Sequence, residues 1–170
     1  MDATPTATFI KNRGMEGWQL KRISEFPGCC QLGNSQSAHF DAYFVTPKLS
    51  ALTGATDVDV ETRTFRFAGA ANIKLAILNA GKITGVDFVT MDGTTEAKKS
   101  LSADSNGTEF TITGELMPKL ANNVVNKTYA TITMHVSGAT PETQIKFYVP
   151  EEEIASNSRI QFDYVKVTKK

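Results

Sequence analysis

From Asp57 to Phe67 the chain alternates between apolar and polar positions, with Val58, Val60, Thr62 and Thr64 on one parity and Phe65 and Phe67 on the other. A period of two predicts a half-buried strand, and the change of parity predicts a bulge within it. The same period recurs in Gly138–Phe147 and in Arg159–Val167, where Asp163 stands between large apolar residues. These runs predict two closing strands, the last lying beside an early one, with Ile160 and Phe162 on its core face. Further strands are predicted at 7–10, at 42–49 with an exit at Pro47, and at 72–78, 86–91, 108–113, 129–136 and 144–149. Turn-formers separate them: Asn79-Ala80-Gly81, Asp92-Gly93, Ser105-Asn106-Gly107 and Ser137-Gly138. The stretch 115–126 reads either as a helical turn or as a loop around Pro118. About ten short strands without amphipathic helices between them predict an all-β domain, a β-sandwich or jelly roll.

Composition narrows the partners. The 170 residues suffice for one domain over 1–170 with its own core and no disulfide framework. Lysine plus arginine and aspartate plus glutamate number 18 each, so no net field is available to hold a phosphate backbone, and nucleic acid is not expected as a partner. No apolar run approaches the roughly 20 residues that span a bilayer. The start, Met1-Asp2-Ala3-Thr4-Pro5, has neither the basic residues nor the apolar core of an export signal. Cys29 and Cys30 are adjacent, which leaves a strained vicinal bridge as their sole mutual disulfide and fixes no redox compartment.

Three segments carry a family resemblance. They are Phe9 to Trp18, with its Gly-acid-Gly-Trp turn; Gln31-Leu32-Gly33-Asn34-Ser35 through Thr46-Pro47-Lys48-Leu49-Ser50-Ala51-Leu52-Thr53-Gly54; and the closing pair, above all Gly138-Ala139-Thr140-Pro141-Glu142-Thr143-Gln144-Ile145-Lys146-Phe147. In order and spacing the chain resembles the galactose-binding-domain-like jelly rolls, similar to carbohydrate-binding modules, that are appended to surface proteins and glycan-degrading enzymes of Bacteroides-type bacteria. The resemblance implies a non-catalytic, carbohydrate-binding module of an exported, cell-surface or periplasmic protein, part of a longer polypeptide whose other domains are further partners. A structural or adhesion module, or a protein-docking spacer, is the alternative. It also implies a structural calcium ion where the first strand, an early loop and the last strand meet, with Glu16 and Asp163 as its carboxylates. Tyr164 stands where the family often has a second acid, and Asp163 also reads as an outward-facing acid on an edge strand.

Sugar recognition needs a flat aromatic face and a few polar groups aimed at hydroxyls. The ligand-binding candidates are Trp18, Asn34, Gln36, His39 and Tyr43, with Arg66 as further polar company. Trp18 also reads as a core plug after its glycine turn. Tyr129 and Tyr148 sit in alternating strands and are assigned to packing. His135 lies between Met134 and Val136 and is expected to face solvent. No catalytic residue is assigned: nothing brings His39, Cys30 and an acid together, and no phosphate loop or metal signature is present. Glu151-Glu152-Glu153 reads as a solvated loop.

Overall fold

A computed structural model describes residues 11–26, 29–32, 42–69, 71–92, 95–119, 128–150 and 159–170. The strand expected at 7–10, the candidates Asn34, Gln36 and His39, and Glu151–Glu153 lie outside these residues.

The described residues form twelve strands: β1 (Gln19–Lys21), β2 (Ile23–Phe26), β3 (Cys29–Leu32), β4 (Tyr43–Val45), β5 (Thr56–Ala68), β6 (Ile73–Leu78), β7 (Lys82–Asp92), β8 (Thr95–Leu101), β9 (Glu109–Ile112), β10 (Thr128–Ala139), β11 (Gln144–Tyr148) and β12 (Arg159–Lys169). They pair into a five-stranded sheet, β1-β4-β11-β6-β9, and a seven-stranded sheet, β2-β3-β12-β5-β10-β7-β8. From β3 onward each successive strand crosses to the other sheet, the β7–β8 hairpin excepted. Setting that hairpin and the β1–β2 entry aside leaves β4-β11-β6-β9 facing β3-β12-β5-β10, the interleaved strand order of a jelly roll. The all-β sandwich expected from the alternation is the fold observed; the last strand lies between two early ones, β3 and β5, so Asp163 is on an interior strand and not on the edge strand expected.

Registers show why the alternation was legible. Leu20 pairs with Phe44, Phe44 with Phe147, Phe147 with Leu75 and Leu75 with Phe110, which makes one row of apolar side chains across all five strands. Every member of that row is at most 5% exposed and belongs to the core. Opposite them the seven-stranded sheet contributes Val58, Val60, Val86, Phe88, Ile132, Met134, Ile160 and Phe162. Phe44 and Phe147 stack at 4.4 Å, and Phe162 meets both edge-on at 5.4 and 5.1 Å, so three aromatics knit the two sheets together.

Two threonines in this interior have a specific reason. Phe162 pairs with Thr64 and Val165 with Thr62, so β12 carries one extra residue in the Asp163–Tyr164 stretch, a β-bulge. A bulge disrupts the ladder locally, and the Thr62 hydroxyl donates to the Tyr164 carbonyl at 2.5 Å while that of Thr64 donates to Gln161 at 2.9 Å. The bulge expected inside β5 is also present, further along: Arg159 pairs with Ala68 and Ile160 with Arg66, which leaves Phe67 as the extra residue.

The hairpin strand β8, Thr-Glu-Ala-Lys-Lys-Ser-Leu, went unpredicted because it shows no alternation. It is a nearly fully exposed edge strand, and its Lys98 and Lys99 protect that edge from pairing with another chain. At the Asn79-Ala80-Gly81 turn, Gly81 has φ +100°, and a Cβ there would stand 3.0 Å from Val136 Cγ1, so both conformation and space require glycine.

Candidate functional site

Alternation that buries one face of the five-stranded sheet turns the next residues outward. Lys21 pairs with Tyr43, Tyr43 with Tyr148, Tyr148 with Lys74 and Lys74 with Thr111, forming an outer row in register with the apolar inner one. The neighbouring outer row runs Gln19, Val45, Lys146, Ala76, Glu109. Two tyrosines thus lie side by side on adjacent strands, half-exposed, with charged groups on the same face.

The face is held in place by its own polar contacts. Asp104 takes hydrogen bonds from Thr108 N at 2.6 Å, Thr108 Oγ1 at 2.8 Å and Glu109 N at 3.1 Å, fixing the turn that delivers β9 and Glu109. The Tyr148 hydroxyl donates to Glu109 Oε2 at 2.6 Å, and Lys74 Nζ donates to Glu109 Oε1 at 3.1 Å. These two donors, Tyr148 first, hold the Glu109 carboxyl below its ordinary range against the opposing effect of burial. The Lys146 ammonium stands 4.3 Å from the Tyr148 ring centre and 5.3 Å from that of Tyr43. Its cross-strand partners on either side, Val45 and Ala76, are both buried. Tyr148, assigned from sequence to packing, is therefore the residue that completes a surface with Tyr43.

The other aromatic pair is consumed internally. On the outer face of the seven-stranded sheet Arg63 stacks on Tyr129 at 4.1 Å and lies 5.7 Å from Tyr164. Its guanidinium reaches Asp163 at 3.5 Å, and the Tyr164 hydroxyl donates to Glu61 at 2.8 Å. Burial first, then the Glu61 bond, pushes the Tyr164 hydroxyl up to about 12. Arg66, considered as polar company for a ligand, instead donates to the carbonyls of Met117 at 2.9 Å and Gly69 at 2.6 Å and braces the chain.

Trp18 packs tilted against Phe44, ring centres 5.9 Å apart, at the rim of a cavity of about 140 Å³ lined also by Met15, Cys30, Phe162, Asp163 and Val165. That contact is the packing that a core plug makes, and the same residue lines the cavity. Met15, next in sequence to Glu16, and Asp163 line the same space. Oxygen donors of that kind suit calcium, though Asp163 shares its charge with Arg63. No cluster of three or more His, Cys, Asp or Glu suited to a metal occurs among the described residues.

His135 faces outward as expected. Its Nδ1 lies 2.6 Å from Asp59 and its Nε2 3.1 Å from Asp87, while Lys170 Nζ reaches Asp59 at 2.8 Å. The Asp59 bond raises the imidazole's pKa, burial opposes it and Asp87 adds to the rise. For Asp59 burial acts upward, but the bonds from Lys170 and His135 outweigh it and the carboxyl is lowered. The cluster clasps β12, β5, β10 and β7 together across the sheet surface.

No family model and no curated protein matches the sequence. Among solved structures the chain is similar to a protein of Bacteroides thetaiotaomicron proposed to bind sugar, at 8% identity over 91% of this chain and 84% of that one, with a TM-score of 0.46. It is also similar to the CBM22-1 xylan-binding domain of Paenibacillus barcinonensis Xyn10C, at 10% identity over 91% of this chain and 82% of that one, with a TM-score of 0.40. The jelly-roll class stands on the strand order itself, and likeness at these identities says nothing of the ligand.

Proposed function

We propose that this domain is a non-catalytic carbohydrate-binding module of an exported or cell-surface protein, and that it holds glycan on the outer face of the five-stranded sheet. The observation that carries the reading is the Tyr43–Tyr148 pair, two half-exposed rings in direct cross-strand register, one fixed by its bond to Glu109. Rings supply apolar faces for pyranose stacking, while Lys74, Lys146 and Glu109 supply donors and an acceptor for hydroxyls. Building the surface on paired strands keeps it ordered before a ligand arrives, which limits the entropy lost on binding. Trp18 is a second, smaller contact point at the cavity rim, and Asn34, Gln36 and His39 remain candidate ligand contacts. A structural calcium ion, with Glu16 and Asp163 among its ligands, belongs to the same reading.

A glycan-array screen of the purified domain, with and without calcium, followed by calorimetry on each hit, tests the proposal. A hit that Tyr43→Ala or Tyr148→Ala weakens about tenfold or more supports it. Hits indifferent to both substitutions would remove the site, and no hit at all would favour the docking or spacer role.

A further inference from the structure

The outer face of the five-stranded sheet carries an imbalance that the whole chain lacks. Acids and bases cancel over the full sequence, yet among the described residues the paired strands of this face set Lys74 and Lys146 beside one acid, Glu109. Glu109 is already committed to Lys74 and Tyr148. Lys146 is different in kind: its contacts are the rings of Tyr43 and Tyr148, and among the described residues no carboxylate lies within ion-pair distance of it. By contrast Arg63, which also stacks on tyrosine, is paired with Asp163. Lys146 is a half-buried residue whose ammonium stands over two rings and has no anion among the described residues, so a charge-assisted bond is open to it.

We infer that the preferred ligand is an acidic glycan, one whose pyranose rings carry carboxylate or sulfate groups, with Lys146 pairing to the anion while Tyr43 and Tyr148 take the ring faces. The inference rests on the carbohydrate-binding reading of this face and narrows it. Charge complementarity and stacking act at adjacent positions, so an acidic sugar satisfies both where a neutral sugar satisfies one. Binding to such a ligand weakens with added salt, because the pair is only partly shielded from solvent.

The test is calorimetry of the intact domain against oligogalacturonate, hyaluronate and carrageenan oligomers, each beside its carboxyl-reduced or desulfated form, with a panel of neutral oligosaccharides and polyglutamate alongside. The expected result is that at least one acidic glycan binds about tenfold tighter than its neutralised form, the difference one charge-assisted bond supplies. Lys146→Gln should erase that ratio and Lys146→Arg should retain most of it. Whether carboxyl reduction or desulfation causes the loss identifies the anion. Equal binding of charged and neutralised forms, or of neutral glycans alone, overturns the inference and leaves the carbohydrate reading intact. Binding of polyglutamate as tight as that of any acidic glycan overturns it in favour of an acidic protein segment. Absence of binding to every glycan overturns both.

Discussion

Replacing Phe162 by alanine removes the ring that ties β12 to the five-stranded sheet. The side chain is 3% exposed and makes edge contacts with Phe44 at 5.4 Å and Phe147 at 5.1 Å. Truncating a buried phenylalanine costs about 3 to 5 kcal/mol, through lost transfer energy plus the cavity left behind. Each aromatic contact contributes about 0.5 to 1.5 kcal/mol beyond area, which argues for the upper half of that range, about 4 kcal/mol. Collapse cannot recover much, because Phe162 already borders a cavity of about 140 Å³ and the strands on either side are fixed by their ladders. For a domain of this size the melting temperature should fall by roughly 8 to 16 °C. In urea, with a slope of about 2 kcal/mol/M, the midpoint should drop by roughly 2 M at unchanged slope. Val167→Ala on the same strand, where the side chain is 36% exposed, should change stability by no more than about 0.5 kcal/mol. A loss below about 1 kcal/mol for Phe162→Ala would mean that the last strand is out of phase with its assigned face.

The His135 cluster sets a pH window. Because the folded imidazole titrates above its unfolded value of 6.5, its contribution is fully present below about 6.5 and is lost as pH rises through the raised value. Asp59 works at the other end: its carboxyl is lowered from 3.8, so its contribution is present above about 3.8 and fades as pH falls through the lowered value. Melting temperature should therefore be greatest between these limits and decline towards pH 8, and His135→Gln should flatten that decline; an identical decline in the variant would assign it to other groups. Tyr148→Phe keeps the ring but removes the donor to Glu109, so stability should fall by about 1 kcal/mol and the Glu109 carboxyl, followed by NMR titration, should titrate higher. An unmoved Glu109 titration would show that the bond does not govern that carboxyl. For the calcium proposal, a chelator should lower the melting temperature of the domain and excess calcium restore it, and Asp163→Asn should abolish the difference; an unchanged transition would discard the ion.

Alternation carried the fold because the sandwich buries one face of each long strand, so Val58, Val60, Ile160 and Phe162 announce their side directly. Where burial does not alternate the sequence is silent. β8 is exposed almost throughout, and nothing in Thr95–Leu101 distinguishes an edge strand from a charged loop. Thr62 and Thr64 share the parity of the core valines, yet the bulge carbonyl that Thr62 satisfies arises only when β5 meets β12, 102 residues further along. The site shows the same limit. Tyr43 was legible as an aromatic next to a polar loop, whereas Tyr148 reads as one more residue of an alternating strand. Its significance comes from register: β11 lies between β4 and β6, which puts Tyr43 on one side of Tyr148 and Lys74 on the other. Glu109, two strands away from Tyr148 in the sheet, carries no sequence mark of its role at all. For Trp18, the glycine turn before it signalled the packing contact with Phe44.

The most direct test of the central claim is an amide NMR titration of the labelled domain with the glycans of the acidic and neutral panel. Carbohydrate binding at the proposed face predicts saturable shifts concentrated in β4, β11 and β6 around Tyr43, Lys146, Tyr148 and Lys74, with the far face around His135 unmoved. Shifts confined to the Met15–Trp18 turn and Asp163, or no shift with any glycan, would contradict it.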